Sequence, residues 1–141
     1  MPNSNSPAGR SEFILIADDD PDDQELLGGA FHSINKSLLL EFITNGSQVV
    51  PFLEKLGDGR LPSLIVLDYN MPELNGDEIL KVLNCNARYI PIPKVVWSTS
   101  NSKFYKNVCL TLGAIDYIIK PSDMASFEKI ANYMLSLIKE Q

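Results

Sequence analysis

The sequence lacks an excess of basic residues: its 141 residues include 12 Lys and Arg against 18 Asp and Glu, which gives a formal net charge of −6 at pH 7. Because the basic residues are scattered, no basic stripe could neutralise nucleic-acid phosphates, and direct nucleic-acid binding is not expected. No apolar run approaches the roughly 20 residues that span a bilayer, and residues 1 to 10 lack the apolar centre of a signal peptide. These absences predict a cytoplasmic protein with no membrane partner.

Cysteine and histidine are scarce, which argues against several kinds of active site. The two cysteines, Cys85 and Cys109, form no CxxC or other metal-binding spacing and lie within apolar helical patterns, so we expect buried thiols. The single histidine, His32, adjoins Phe31 and is expected at the surface or at an edge. Neither a catalytic histidine nor a cysteine-based metal site is predicted.

Length and composition favour one globular domain. With 45% hydrophobic and 21% charged residues, the chain has an ordinary soluble composition and can build a core without disulfides. Residues 1 to 11 are mostly polar and have little to bury, so we expect a flexible N-terminal tail there and a single domain over residues 12 to 141. No linker or second composition block suggests a separate output domain.

Five short apolar runs alternate with amphipathic stretches along the domain. The runs are Phe13 to Ala17, Leu38 to Ile43, Leu64 to Leu67, Val95 to Trp97 and Tyr117 to Ile119. Their length, and the β-branched and aromatic content of most of them, favours strands, whereas the stretches between and after them carry apolar residues at helical spacing. This (βα)5 order predicts an α/β fold with a mostly parallel sheet, right-handed crossovers and helices on both faces.

Four of the apolar runs end abruptly in a polar residue. The residues at these ends are Asp18 and Asp19 after the first run, Asp68 after the third, Ser98 after the fourth and Lys120 after the fifth. In a parallel sheet all these ends lie on one edge, and open α/β sheets bind ligands at that carboxyl edge. We therefore expect these side chains to face a single crevice.

The chemistry of this set points to a cation and a phosphoryl group. Two carboxylates about 4 Å apart repel by roughly 4 kcal/mol at an effective dielectric near 20, so a cation is needed among them. Mg²⁺ prefers oxygen ligands and typically uses one or two carboxylates together with a phosphoryl oxygen. Lys120 can pair with such a group and Ser98 can donate a hydrogen bond to it. The sequence contains no Walker loop, so a nucleotide is not the obvious source of phosphate.

The acidic segment from Asp18 to Glu25 contains six of the acidic residues and carries the whole net charge. A single Asp after a strand is more often a helix cap or turn residue than a ligand, and this explanation fits most of the segment. Asp20 suits the N-cap, Pro21 the first helical position, and the remaining acids the positive end of the helix dipole. We therefore expect Asp20, Asp22, Asp23 and Glu25 to begin and solvate a helix.

The site residues resemble those of a known family. Asp18-Asp19, the stretch Leu67-Asp68-Tyr69-Asn70-Met71-Pro72-Glu73-Leu74-Asn75-Gly76, Ser98 and Lys120-Pro121 are similar to the receiver domain of two-component response regulators. The separations of 30 residues from Asp68 to Ser98 and 22 from Ser98 to Lys120 are typical of that family. Pro21-Asp22-Asp23 and Ser98-Thr99-Ser100 more weakly resemble single-domain receivers paired with phytochrome-type histidine kinases. The resemblance covers about residues 12 to 139 and implies a flavodoxin-like strand order, 2-1-3-4-5.

The resemblance also implies roles for individual residues. Asp68 would be the phosphoacceptor, and Asp19, Asp68 and the carbonyl of Asn70 would ligate Mg²⁺, with Asp18 acting mainly through a bound water. Lys120 would contact the phosphoryl oxygens. Ser98 would move to bond them, which would let the switch residue Tyr117 rotate inward. The Lys120–Pro121 bond is often cis in this family, and Gly76 would shape the loop after Asp68 through its backbone freedom.

The function implied is that of a response regulator, a phosphoacceptor signalling protein rather than an enzyme, although autophosphatase activity occurs in the family. A sensor histidine kinase, of the phytochrome type on the weaker resemblance, or a phosphotransfer protein would supply the phosphoryl group. A downstream protein would read the result, and a homodimer is allowed.

Two other functions remain as alternatives. One is a Mg²⁺-dependent aspartyl-phosphate phosphatase similar to the haloacid dehalogenases, whose motif follows the first strand. The other is a pseudo-receiver that acts only as a scaffold, which normally lacks one of the acids or the lysine. In this sequence the candidate nucleophile, Asp68, follows the third apolar run, and all the acids and Lys120 are present.

Overall fold

Each predicted apolar run forms a strand in the computed structural model, which describes residues 13 to 138. The predicted tail, residues 1 to 11, lies outside the described residues. The strands are β1 (Phe13–Ala17), β2 (Leu39–Ile43), β3 (Leu64–Asp68), β4 (Lys94–Ser98) and β5 (Asp116–Ile119). The helices are α1 (Pro21–Ile34), α2 (Val49–Glu54), α3 (Gly76–Leu83), α4 (Lys103–Thr111) and α5 (Met124–Ser136). None of the helices within residues 13 to 138 is long and apolar enough to cross a membrane.

The five strands form one parallel sheet in the order β2-β1-β3-β4-β5. This confirms the predicted flavodoxin-like fold, with β1 and β3 as neighbours at the point where the strand order reverses. The register pairs Ala17 with Leu67 and Asp68 with Trp97, so the carboxyl ends of the three central strands lie level with one another. Open α/β sheets bind ligands at this point.

Some predicted strand limits were wrong by one residue. β3 and β4 extend into Asp68 and Ser98, and β4 begins at Lys94, because sheet pairing continues past the apolar residues. β2 begins at Leu39 rather than Leu38. The polar groups at the carboxyl edge are therefore the last residues of strands or follow them directly, which fixes their backbones in the sheet.

Apolar side chains cover both faces of the sheet. Alternate residues of β1, such as Leu15 and Ile16, enter two separate core clusters, one under α2, α3 and α4 and the other under α1 and α5. Every residue of β1, β3 and β4 is buried, as expected for central strands covered on both sides. Trp97 lies in the second cluster, with its ring edge-on to Phe127, and is a core residue.

The predictions for cysteine and histidine were correct in two of three cases. Cys109 is buried on α4, and His32 is exposed, with Nε2 2.9 Å from the carbonyl oxygen of Leu38. Cys85 is exposed, so the prediction of a buried thiol was wrong there. The reason is that α3 ends at Leu83 and Cys85 lies in the turn that follows.

Candidate functional site

The carboxyl edge of the sheet brings together the acids and the lysine predicted from the sequence. Nζ of Lys120 lies 3.1 Å from Oδ2 of Asp18 and 3.2 Å from Oδ2 of Asp68. Asp18, Asp19 and Asp68 each offer a carboxylate oxygen, and these oxygens lie within 4.8 Å of one another. The backbone holds this geometry, because the Asp18 N–H donates to the Ile43 carbonyl and the Lys120 N–H donates to the Ser98 carbonyl.

The electrostatics of the site follow from burial of like charges. Burial and the nearby charge of Asp18 raise the pKa of Asp68 to about 7, and burial raises the pKa of Asp18. For Lys120, burial opposes the charged form, but the hydrogen bond to Asp23 and the charges of Asp18 and Asp68 outweigh it and raise the pKa. The site thus holds more negative than positive charge in a desolvated position.

This donor set fits a divalent cation. Oδ1 of Asp18 accepts from the Asp20 N–H at 2.9 Å, but the buried Oδ2 accepts no hydrogen bond and has only its ion pair with Lys120. A buried carboxylate oxygen without a donor is costly unless a positive charge lies beside it. Three clustered carboxylates of this kind match the hard oxygen ligands of Mg²⁺.

The loop after Asp68 is held close to the site. The Asn70 N–H donates to Oδ1 of Asp68 at 3.2 Å, and the Gly76 N–H donates to the Tyr69 carbonyl at 2.9 Å. A Cβ on Gly76 would lie 2.7 Å from the Asp68 carbonyl oxygen. Gly76 does not have a positive φ, so the feature that requires glycine there is the close approach of two backbones.

Ser98 and Tyr117 meet at the loop that follows β4. Ser98 is buried, and its Oγ accepts from the Ser100 N–H at 3.0 Å. Tyr117 is also buried, and its hydroxyl donates to the Ser100 carbonyl at 2.8 Å. Both predicted switch residues thus bind the same residue, Ser100, and the Tyr117 ring lies inside the protein. The Lys120–Pro121 bond, for which the family suggested cis, is trans.

Asp23 is a site residue that the sequence analysis missed. Its expected role was to begin a helix, and Asp20 does cap α1 as predicted, accepting from the Asp22 N–H at 2.9 Å. Asp23, however, turns back toward the sheet edge, where its Oδ2 accepts a 2.8 Å hydrogen bond from Nζ of Lys120. The available signal was its place in the first turn of the helix that follows β1 after three residues.

A flavodoxin-like sheet with three carboxylates and a lysine at its carboxyl edge defines a class of α/β proteins with a charged edge suited to a cation. Comparisons with known proteins specify the class further. The sequence model of the response regulator receiver domain matches residues 14 to 132. The chain therefore belongs to the receiver domains of two-component response regulators.

Individual relatives agree with this assignment. The chain is 30% identical to the two-component response regulator ORR5 of Oryza sativa subsp. japonica over 127 residues, which cover 90% of this chain and 91% of that protein. The Mn²⁺-bound form of response regulator Rcp1 superposes with a TM-score of 0.79 at 25% identity, over 89% of this chain and 93% of that one. The phosphorylated cyanobacterial phytochrome response regulator RcpA shares the fold, with a TM-score of 0.82 at 23% identity over 91% and 94% of the two chains.

Proposed function

We propose that Asp68 accepts a phosphoryl group from a phosphohistidine of a sensor histidine kinase or a phosphotransfer protein. The observation that carries this proposal is the position of Asp68. Its carboxylate lies at the end of a central strand, 3.2 Å from the Lys120 ammonium and within 4.8 Å of oxygens of Asp18 and Asp19. Receiver domains in general exchange phosphoryl groups with such partners, and this chain has the acids and the lysine that the reaction needs.

The proposed metal is Mg²⁺, held by Asp19, Asp68 and the Asn70 carbonyl, with Asp18 acting mainly through a water. Rcp1, a response regulator of this fold, has a Mn²⁺-bound form. When bound, the cation would neutralise the clustered carboxylates and the charge of the incoming phosphoryl oxygens. This part of the proposal is supported by the three clustered acids and by Oδ2 of Asp18, which accepts no hydrogen bond and has only its ion pair with Lys120.

The transfer reaction needs only the carboxylate and positioned charges. An oxygen of Asp68 attacks phosphorus in line, the phosphorus–nitrogen bond of the phosphohistidine breaks, and the imidazole leaves with the bonding electron pair. The Lys120 ammonium lies beside the attacking carboxylate and stabilises the charge on the phosphoryl oxygens. Positioning of this kind supplies most of the rate enhancement in phosphoryl transfer.

The proposed output is a change at the loop after β4. The aspartyl phosphate adds roughly two negative charges at the end of β3. Ser98 lies at the end of the neighbouring strand, and its hydroxyl, whose oxygen now accepts from the Ser100 N–H, could move to donate a hydrogen bond to a phosphoryl oxygen. Because Tyr117 also bonds Ser100, such a change would reach α4 and β5, whose outer surface a downstream protein or a second copy of the chain could read.

The remaining parts of the proposal concern location and partners. We place the protein in the cytoplasm, where histidine kinases present their phosphorylated domains. The two short motifs around Pro21 and Ser98 favour a phytochrome-type kinase as the donor. The protein acts as a phosphoacceptor in signalling, and any hydrolysis of its own phosphate would limit the signal's lifetime. The complete set of acids with Lys120 argues against a scaffold without phosphorylation.

Incubation with a small-molecule phosphodonor and Mg²⁺ tests the proposal. The wild-type chain should gain one phosphate that is stable in acid and labile in base, as expected for an acyl phosphate. Asp68→Asn should gain none, whereas Asp58→Asn, which alters an exposed acid paired with Arg88, should be labelled like the wild type. If Asp68→Asn were labelled at the wild-type level, Asp68 could not be the phosphoacceptor.

A further inference from the structure

Lys120 is held by more carboxylates than the proposed phosphoryl site requires. Its side chain is 8% exposed, and three acidic residues surround the ammonium: Asp23 at 2.8 Å, Asp18 at 3.1 Å and Asp68 at 3.2 Å. The contact with Asp23 is the shortest of the three and is a hydrogen bond from Nζ of Lys120 to Oδ2 of Asp23. Asp23 therefore determines where this ammonium points at least as much as Asp68 does.

Asp23 differs from the other two acids in what else it can bind. Asp18 and Asp68 belong to the group of carboxylates whose oxygens converge within 4.8 Å, and Asp23 does not. A ligand that binds the carboxylates of Asp18 and Asp68 would leave the hydrogen bond between Asp23 and Lys120 in place. Its side chain is 19% exposed, against 0% for Asp18 and 6% for Asp68.

The surroundings of Lys120 explain why a directed hydrogen bond to Asp23 is needed to fix the position of its ammonium. The lysine side chain has four rotatable bonds, and its compact ammonium has no preferred plane. On one side it faces the ring of Trp97, with Nζ 5.1 Å from the ring centroid, a contact that attracts the cation without directing its N–H groups. A directed hydrogen bond on another side fixes the ammonium between the indole and the carboxylates.

We propose that Asp23 is a positioning residue for phosphoryl transfer, which holds the Lys120 ammonium beside Asp68 through its 2.8 Å hydrogen bond. This inference rests on the proposed function of Asp68 as the phosphoacceptor. Under this proposal, the first turn of α1 both begins the helix and, through Asp23, positions the Lys120 ammonium. Asp23 does not touch the reacting atoms and acts only through Lys120.

Asp22 provides a matched control for the helix-starting role. Asp22 and Asp23 are both acids in the first turn of α1, so each can interact with the helix dipole. Asp22 is exposed and makes no side-chain contact with the site that the structure records. Replacing either residue by alanine removes one charge from the same turn, but only Asp23→Ala releases Lys120.

The first experiment measures phosphorylation by a small-molecule donor at saturating Mg²⁺. We expect Asp23→Ala to lower the rate constant about tenfold or more, because small misplacements of a catalytic group are costly. Asp23→Asn keeps an oxygen that can accept the hydrogen bond, and it should be intermediate. Asp22→Ala should stay within about twofold of the wild type, since it affects only the helix dipole. An equal decrease of the rate constant in Asp22→Ala and Asp23→Ala would show that Asp23 acts only in starting the helix.

A double-mutant cycle tests whether Asp23 acts through Lys120. In a Lys120→Ala background, Asp23→Ala should have no further effect on the rate, and an undiminished effect would overturn the inference. The order parameter of the Lys120 ammonium, from NMR relaxation of its ¹⁵N nucleus, gives a readout without phosphorylation. Asp23→Ala should lower this order parameter and Asp22→Ala should not, and an unchanged value in Asp23→Ala would contradict the proposal.

These measurements separate failure of the inference from failure of the proposed function. If the wild type is labelled at Asp68 and Asp23→Ala is labelled equally fast, only the role of Asp23 is wrong. If Asp68→Asn is labelled like the wild type, the proposed function fails whatever Asp23 does. The NMR result for Lys120 then still decides whether Asp23 holds the ammonium.

Discussion

Lys94 is a charged residue with almost no access to water. It begins β4, is 2% exposed, and has its ammonium 3.3 Å from the Ile90 carbonyl oxygen. Burial lowers its pKa from an ordinary value near 10.5 to about 8. The burial of Lys94 is not evident from the sequence, because this residue precedes the apolar run, and only the sheet pairing shows that it is interior.

Lys94 should make stability depend on pH in the alkaline range. Below pH 8 Lys94 is protonated in both states, so the folded protein bears the full cost of burying the charge. Between pH 8 and 10.5 the folded state releases this proton while the unfolded state retains it, so the cost falls as pH rises. We therefore expect Lys94→Met, which is similar in size, to be more stable than the wild type at pH 7 by up to about 3 kcal/mol.

Urea unfolding of both proteins from pH 7 to 10.5 measures this difference. The comparison isolates Lys94, because other groups that titrate in the range, such as the buried Cys109 with its raised pKa, are common to both proteins. The stability advantage of Lys94→Met should shrink as pH rises above 8. A constant difference, or a wild type more stable at pH 7, would show that the lysine carries no burial cost.

Asp19 is the exposed member of the three clustered carboxylates, and with Asp68 it is one of the two acids proposed to bind the metal directly. Asp19→Asn removes one negative charge and one strong ligand from the cluster. We expect the affinity for Mg²⁺ to fall about tenfold or more, as measured by calorimetric titration of the unphosphorylated protein. Asp22→Asn, an equal change of charge nearby in sequence, should leave the affinity within about twofold. Equal affinities for wild type and Asp19→Asn would exclude Asp19 as a ligand.

At the scale of helices and strands, two glycines show how local backbone geometry supports the site. Gly76 begins α3, where a Cβ would lie 2.7 Å from the Asp68 carbonyl oxygen, whereas Gly29 lies within α1 with nothing within 4 Å of its Cβ position. We expect Gly76→Ala to lower the free energy of unfolding by about 1–3 kcal/mol, because backbone must shift to admit the methyl group. Gly29→Ala should raise it by up to about 1 kcal/mol, from helix propensity.

Chemical denaturation of the two glycine variants checks this pair of predictions. Gly76→Ala should also slow phosphorylation, since the backbone that must move belongs to Asp68 and Tyr69. Gly29→Ala should not slow it. A Gly76→Ala variant as stable and as reactive as the wild type would mean that the loop after Asp68 is not held by this close contact.

The sequence was most informative about the helices and strands themselves, and least informative about side chains of one element that contact another element. Five strands and the strand order could be predicted, because buried parallel strands are short apolar runs and the motif is specific to one family. Asp23 was assigned only to the helix start, because the sequence does not show that the first turn of α1 faces Lys120. Cys85 was assigned to the core because its helix was expected to run two residues further than it does.

For the molecule as a whole, the acidic segment from Asp18 to Glu25 contributes residues both to the carboxyl edge of the sheet and to the start of α1. Asp18, Asp19 and Asp23 lie at the site, and the exposed Asp20, Asp22 and Glu25 begin and solvate α1. The net charge of −6 is therefore concentrated where a cation would bind. Lys94 lies at the opposite edge of the sheet and takes no part in this site.

The central claim is that Asp68 receives the phosphoryl group, and direct localisation of the phosphate tests it. The wild-type protein is phosphorylated by a small-molecule donor with Mg²⁺, the acyl phosphate is reduced with borohydride, and the modified residue is identified by peptide mass spectrometry. Reduction converts a phosphorylated aspartate to homoserine, and we predict homoserine at position 68 alone. Homoserine at another acid of the site with an unmodified Asp68 would contradict the account.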